Sequence, residues 1–167
     1  MNPQTIFLSC FFSLLQCLTS QARTQQQDIP LKNLNGQSVS LKSVIDSNRI
    51  TAISFWATWC GPCINELDAI QDKIESDQQK LFHLIAISTD EARTANKVKP
   101  FIKTRGWSFD VYLDESNEVK QAFNVTNIPF IIIINKGKVV YQKSGYMPGD
   151  EDLLFEKINQ LKSSGSQ

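Results

Sequence analysis

Three stretches of the chain are apolar almost without a break: Ala52-Ile53-Ser54-Phe55-Trp56-Ala57, Leu84-Ile85-Ala86-Ile87 and Phe130-Ile131-Ile132-Ile133-Ile134. Short runs that do not alternate predict central strands covered on both faces. Between and after them the period changes. Leu67, Ile70 and Ile74 recur at helical spacing, and Leu153, Leu154, Ile158 and Leu161 form a second stripe near the C-terminus, so both segments predict amphipathic helices. A helix is also expected over 94–105, closed by Gly106 and delayed or kinked by Pro100, and a short one over 116–123. Leu31-Lys32-Asn33-Leu34 and Val39-Ser40-Leu41 flank Asn35-Gly36, the pattern of a hairpin. Asn135-Lys136-Gly137-Lys138 reads as a turn that brings Val139-Val140-Tyr141 back antiparallel to the Ile run. Strands alternating with helices predict an α/β fold, a central mixed β-sheet with helices on both faces behind an N-terminal β-hairpin.

The N-terminus reads as an address. Ile6 to Leu18 is an apolar run of h-region length, and Ser20-Gln21-Ala22 puts small residues where a signal peptidase reads, so residues 1–22 are expected to be a signal peptide cleaved after Ala22. A retained anchor wants about 20 predominantly apolar residues, more than this run supplies. Leu14-Leu15-Gln16-Cys17 is a loose lipoprotein-processing box, which leaves lipidation at Cys17 as a further route to the membrane. The polar stretch 23–28 reads as a flexible leader, 29–162 as one domain and 163–167 as a frayed tail. The expected location is outside the cytoplasm, secreted or periplasmic.

Composition removes several functions. The 167 residues carry 17 Lys plus Arg against 17 Asp plus Glu, so the electrostatic attraction that nucleic-acid binding needs is missing. One His, His83, and four Cys leave no material for a two-plus-two zinc site once the expected signal peptide takes Cys10 and Cys17. With no Gly-rich phosphate loop and no dinucleotide fingerprint, no cofactor is expected.

Cys60 and Cys63 then remain alone, two residues between them. So short a ring restricts the unfolded chain little and makes a poor staple. The pair sits where a buried strand gives way to an amphipathic helix. At a helix N-terminus, unpaired N–H groups and the positive end of the dipole stabilise a thiolate and lower its pKa below about 8.5, which makes Cys60 the predicted nucleophile. Cys63, inside the first turn, is placed to be the more buried resolving thiol, and Pro62 presets the backbone early in the helix. A metal half-site is the alternative, but there is no second pair and His83 stands apart in sequence.

Phe55-Trp56-Ala57-Thr58-Trp59-Cys60-Gly61-Pro62-Cys63 resembles the active-site segment of thioredoxin-fold proteins. Within them the chain is similar to the TlpA/ResA-like extracytoplasmic thiol-disulfide oxidoreductases, over roughly Asp28 to Leu161. Glu66, the stretch from Ile87-Ser88-Thr89-Asp90-Glu91 through Leu113-Asp114, and Val125-Thr126-Asn127-Ile128-Pro129-Phe130 carry that likeness. It implies an inserted helix and strand, and a cis-proline at Pro129 facing the dithiol. It also implies a client strand bound by the backbone of Ile128, and a glycine at Gly145 that lets a client backbone approach. Trp59, Gly61 and Pro62 complete the implied rim. A trans turn proline and an ordinary turn glycine are the alternatives at Pro129 and Gly145.

Ser54 stands where thioredoxins have a buried Asp. Glu66, on the same helix face as Cys63, either takes over as the base for Cys63 or is a first-turn carboxylate stabilised by the helix dipole; both readings stand. Trp56 and Trp59 shape the site surface or pack in the core. Trp107 has no assignable chemistry, His83 reads as structural, and the sequon Asn124-Val125-Thr126 reads as incidental. The expected activity is that of a monomeric thiol-disulfide oxidoreductase that reduces oxidised client proteins, among them those of cytochrome c maturation, and is recharged by a membrane thiol donor. The rivals are a peroxide-reducing relative on the same fold, a copper carrier using Cys60, Cys63 and His83, and a non-catalytic interaction domain.

Overall fold

The computed structural model describes residues 28–45, 48–76 and 82–164; the expected signal peptide, Cys10, Cys17 and nearly all of the leader lie outside them. Chain order is β1 (Pro30–Asn33), β2 (Ser38–Ser40), α1 (Leu41–Val44), β3 (Thr51–Trp56), α2 (Gly61–Ser76), β4 (His83–Ser88), α3 (Val98–Arg105), β5 (Asp110–Leu113), α4 (Glu118–Ala122), β6 (Phe130–Asn135), β7 (Lys138–Ser144) and α5 (Asp150–Ser164). The strands form one seven-stranded sheet in the order β2-β1-β5-β4-β3-β6-β7. β3, β4 and β5 are parallel, while the hairpin strands and the β6–β7 pair run antiparallel to their neighbours, which makes the sheet mixed.

The continuous apolar runs are the middle of the sheet. Every residue of β3 is buried, and the period-two alternation of strand side chains divides the core. Ile53, Phe55, Ile85, Ile87, Ile132 and Ile134 pack on one face against Leu41 of α1 and Val119 of α4. Ala52, Leu84, Ile131 and Ile133 face Ile70 of α2 and Leu154 and Ile158 of α5. Fully burying one such aliphatic side chain stabilises by about 1.5–3 kcal/mol.

Local signals account for the ends. Pro100 is the third residue of α3, where its missing N–H has no partner to lose. A single 3-10 turn, Ala95–Lys97, precedes the helix, and Gly106 closes it at φ 70° with its N–H on the Ile102 carbonyl at 3.1 Å. The Asp114 carboxylate accepts from the Val119 and Lys120 amides at 3.2 and 2.8 Å, so α4 begins at Glu118, two residues later than expected. α1 was not foreseen: the hairpin ends at Ser40, and Leu41 turns into the core with its N–H on the Ile29 carbonyl at 2.8 Å. At the other end, α5 continues through Ser164, two residues into the expected tail.

Candidate active site

β3 delivers the chain to the dithiol. After Trp56 a turn closes with the Cys60 N–H on the Ala57 carbonyl at 3.0 Å, and α2 starts at Gly61. The end of β4 fixes that turn. Thr89 N–H donates to the Trp56 carbonyl at 2.8 Å. The fully buried Asp90 carboxylate accepts from the Thr58 amide at 2.8 Å, the Thr58 hydroxyl at 2.7 Å and the Ser88 hydroxyl at 2.9 Å. Asp90 thus holds the residue two positions before Cys60, a role with no local signal in the sequence.

Cys60 and Cys63 form a disulfide with their Cα atoms 5.3 Å apart. Cys63 is fully buried, whereas Cys60 keeps 6% of its surface. The Cys63 N–H donates to the Cys60 sulfur at 3.3 Å, a dipole oriented to stabilise negative charge there. The tryptophans divide. Trp59 is 70% exposed beside Cys60, while Trp56 is fully buried and packs edge-on against Trp107 at 4.9 Å between centroids. Trp107 in turn donates its indole N–H to Asp68 at 2.8 Å, which gives that residue a structural place.

Beneath Cys63, Glu66 is buried with Leu67 and Ile70 along the same face of α2. Ser54 donates its hydroxyl to the Glu66 carboxyl at 2.8 Å, so Ser54 of β3 and Glu66 of α2 are direct partners across the helix–sheet interface. Burial pushes the Glu66 pKa up from 4.5 to about 7; the Ser54 hydrogen bond and the Lys143 charge oppose the rise and Asp150 adds to it. A carboxyl that titrates near neutrality can exchange protons with a thiol.

The Ile128–Pro129 bond is cis and Gly145 has φ 78°. Gly145 donates its N–H to the Pro129 carbonyl at 2.8 Å. A Cβ on Gly145 would meet nothing within 4 Å, so the left-handed backbone, which favours glycine, accounts for the residue type while the space above it stays open. Half-buried Ile128 packs on the cluster that holds both cysteines. From Trp59 and Ile128 a groove of about 520 Å³ runs out past Thr126 and Asn127, between Glu91 after β4 and Lys120 of α4. Its polar wall comes from segments distant in sequence and was not anticipated.

His83 lies elsewhere. It pairs with Thr51 at the start of β3, whereas Trp56 at the end pairs with Ser88; at about 3.3 Å per residue, the sheet puts His83 some 16 Å along the strand from the dithiol end. Its Nε2 meets the Asp110 carboxylate at 2.8 Å. The copper carrier built on Cys60, Cys63 and His83 is ruled out by this geometry.

The AhpC/TSA family model matches residues 22–143. The thiol-disulfide oxidoreductase ResA of Bacillus subtilis is 29% identical over 133 residues, covering 79% of this chain and 71% of that relative. Sporulation thiol-disulfide oxidoreductase A of the same organism is 27% identical over 140 residues, covering 79% of this chain and 82% of that relative. Among solved structures, a thioredoxin-like protein from Porphyromonas gingivalis superposes with a TM-score of 0.72 at 38% identity, over 84% of this chain and 93% of its own. B. subtilis StoA shares the fold, with a TM-score of 0.61 at 23% identity over 77% of this chain and 93% of its own. With a dithiol at a helix N-terminus of a thioredoxin-like sheet, the chain is a thiol-disulfide oxidoreductase and belongs to the AhpC/TSA family.

Proposed function

We propose that the protein reduces disulfides of client proteins outside the cytoplasm. The observation that carries the reading is the asymmetry of the pair: Cys60 reaches the surface beside exposed Trp59 while Cys63 is sealed. In the reduced enzyme, the Cys60 thiolate attacks one sulfur of a client disulfide. A Cys60–client bond forms, the client S–S bond breaks, and the second client sulfur leaves as a thiolate. Glu66 takes the proton of Cys63, whose thiolate then attacks the Cys60 sulfur. The mixed disulfide breaks, the client departs with two thiols and the Cys60–Cys63 disulfide remains; two electrons have passed from enzyme to client.

Ile128, Pro129 and Gly145, with Trp59, Gly61 and Pro62, form the rim on which the client chain rests. The groove between Glu91 and Lys120 takes the segment beside the attacked cysteine. A membrane thiol donor restores the dithiol, and the apolar run before Ala22 directs export, with cleavage there. Among the described residues, no helix is long and apolar enough to cross a membrane.

Equilibrating the domain with defined glutathione or dithiothreitol buffers tests the direction. A reduction potential near that of thioredoxin, about -270 mV or lower, supports a reductant; a value near -120 mV makes the protein a donor of disulfides and overturns the proposal.

A further inference from the structure

A row of side chains crosses the sheet under Glu66. Ser54 of β3 is opposite Ile131 of β6, and Ile131 is opposite Lys143 of β7. Residues directly opposite on paired strands point to the same face, here the one that α2 and α5 cover. Glu66, Lys143 and Asp150 together line a cavity of about 10 Å³ there, with Tyr141 and Glu151. Lys143 is half-buried. Its ammonium donates to the Asp150 carboxylate and, at 3.1 Å, to the Gly145 carbonyl; Gly145 in turn donates to the Pro129 carbonyl at 2.8 Å.

We propose that Lys143 is a positioning residue of disulfide exchange: anchored on Asp150 and Gly145, its ammonium gives the buried Glu66 a charged partner when the carboxylate forms, and links that carboxyl to the Pro129 rim. The inference rests on Glu66 being the group that takes the Cys63 proton. A buried carboxyl with a single serine donor would be held neutral by desolvation. Lys143 acts against that and Asp150 with it, so the pair tunes Glu66 in opposite directions.

The other titratable groups here leave the cation to Lys143. Tyr146, whose hydroxyl is pushed up to about 12 by burial and by Glu151 and donates to that carboxylate at 3.0 Å, keeps its proton. Glu151 also accepts from the Gly149 amide at 3.0 Å, and Tyr141 lines the same cavity.

The test uses the full chain as wild type, Lys143→Met, Lys143→Arg and Asp150→Asn, each with and without Glu66→Gln. Two quantities are followed against pH: the carboxyl carbon resonance of Glu66, assigned by its loss in Glu66→Gln, and the rate at which a Cys60 mixed disulfide is resolved. Lys143→Met moves the Glu66 midpoint up and slows resolution at pH 7 roughly threefold or more. Lys143→Arg keeps both near wild type. Asp150→Asn moves the midpoint down, which keeps the inference testable should Lys143→Met fail to fold. With Glu66→Gln, residue 143 no longer alters the pH profile. A Glu66 midpoint unmoved by Lys143→Met, or moved equally by Lys143→Arg, overturns the inference whatever Glu66 does. A midpoint that moves while the resolution profile stays fixed overturns the reading of Glu66 as proton acceptor, and the part of Lys143 in exchange falls with it.

Discussion

Cys60 and Cys63 sit three residues apart at one helix start, yet they face different halves of the molecule. On the Cys60 side the surface is open: Trp59 is exposed, and a groove leads away past Ile128 between Glu91 and Lys120. On the Cys63 side the site is closed, with Ser54 and Glu66 buried between the sheet and α2. Helix geometry produces the difference. The first residue before α2 meets solvent and free amides, while a residue inside the first turn is carried under the helix onto the sheet. In the proposed function the open side meets the client and the closed side manages a proton.

Exchanging the roles is the strongest way to break that comparison. Cys60→Ser abolishes reduction of an oxidised client, and Cys63→Ser traps the client on Cys60, both read as bands on a non-reducing gel; trapping by Cys60→Ser instead would reverse the assignment.

Glu66→Gln probes the closed side next. Loss of a general base slows resolution roughly a hundredfold, with little change in the first attack by Cys60. The same substitution alters stability with a definite sign. A carboxyl raised from 4.5 to about 7 binds its proton more tightly in the folded chain, so the stability this contributes is full below about 4.5 and is lost as pH rises through about 7. Urea unfolding of Glu66→Gln therefore shows a gain over wild type of up to ~3 kcal/mol at pH 8 relative to pH 4. An equal difference at both pH values would mean that Glu66 does not titrate in this range.

A smaller effect sharpens the open side. Asp90→Asn leaves one acceptor where two carboxylate oxygens serve three donors from Thr58 and Ser88, at a cost of about 1–3 kcal/mol in thermal or urea unfolding. Attack by Cys60 slows because its turn loosens, while the Glu66 titration stays in place.

The sheet centre and the dithiol were legible because their signals are local. Unbroken apolar runs mark β3, β4 and β6, the motif marks the N-terminus of α2, and helical spacing alone puts Glu66 on the face of Cys63. α1 was not legible, since four residues, Leu41–Val44, carry no period. Lys143 was hidden for a topological reason. Counted straight back from the Asn135–Lys138 pair, Gln142 would stand opposite Ile131, but a bulge puts one extra residue, Val140, into β7 and brings Lys143 there instead. A one-residue shift moves a side chain to the other face of the sheet. The Asp90 clamp and the groove walls likewise join segments that only the folded chain brings together.

The division of labour between the two thiols is tested most directly by alkylating the fully reduced protein over a pH series and locating the label by peptide mass. The account predicts that Cys60 reacts first, with a midpoint below the free-thiol value of about 8.5, while Cys63 reacts slowly and follows the state of Glu66. Equal rates and a shared midpoint near 8.5 at both cysteines would contradict it.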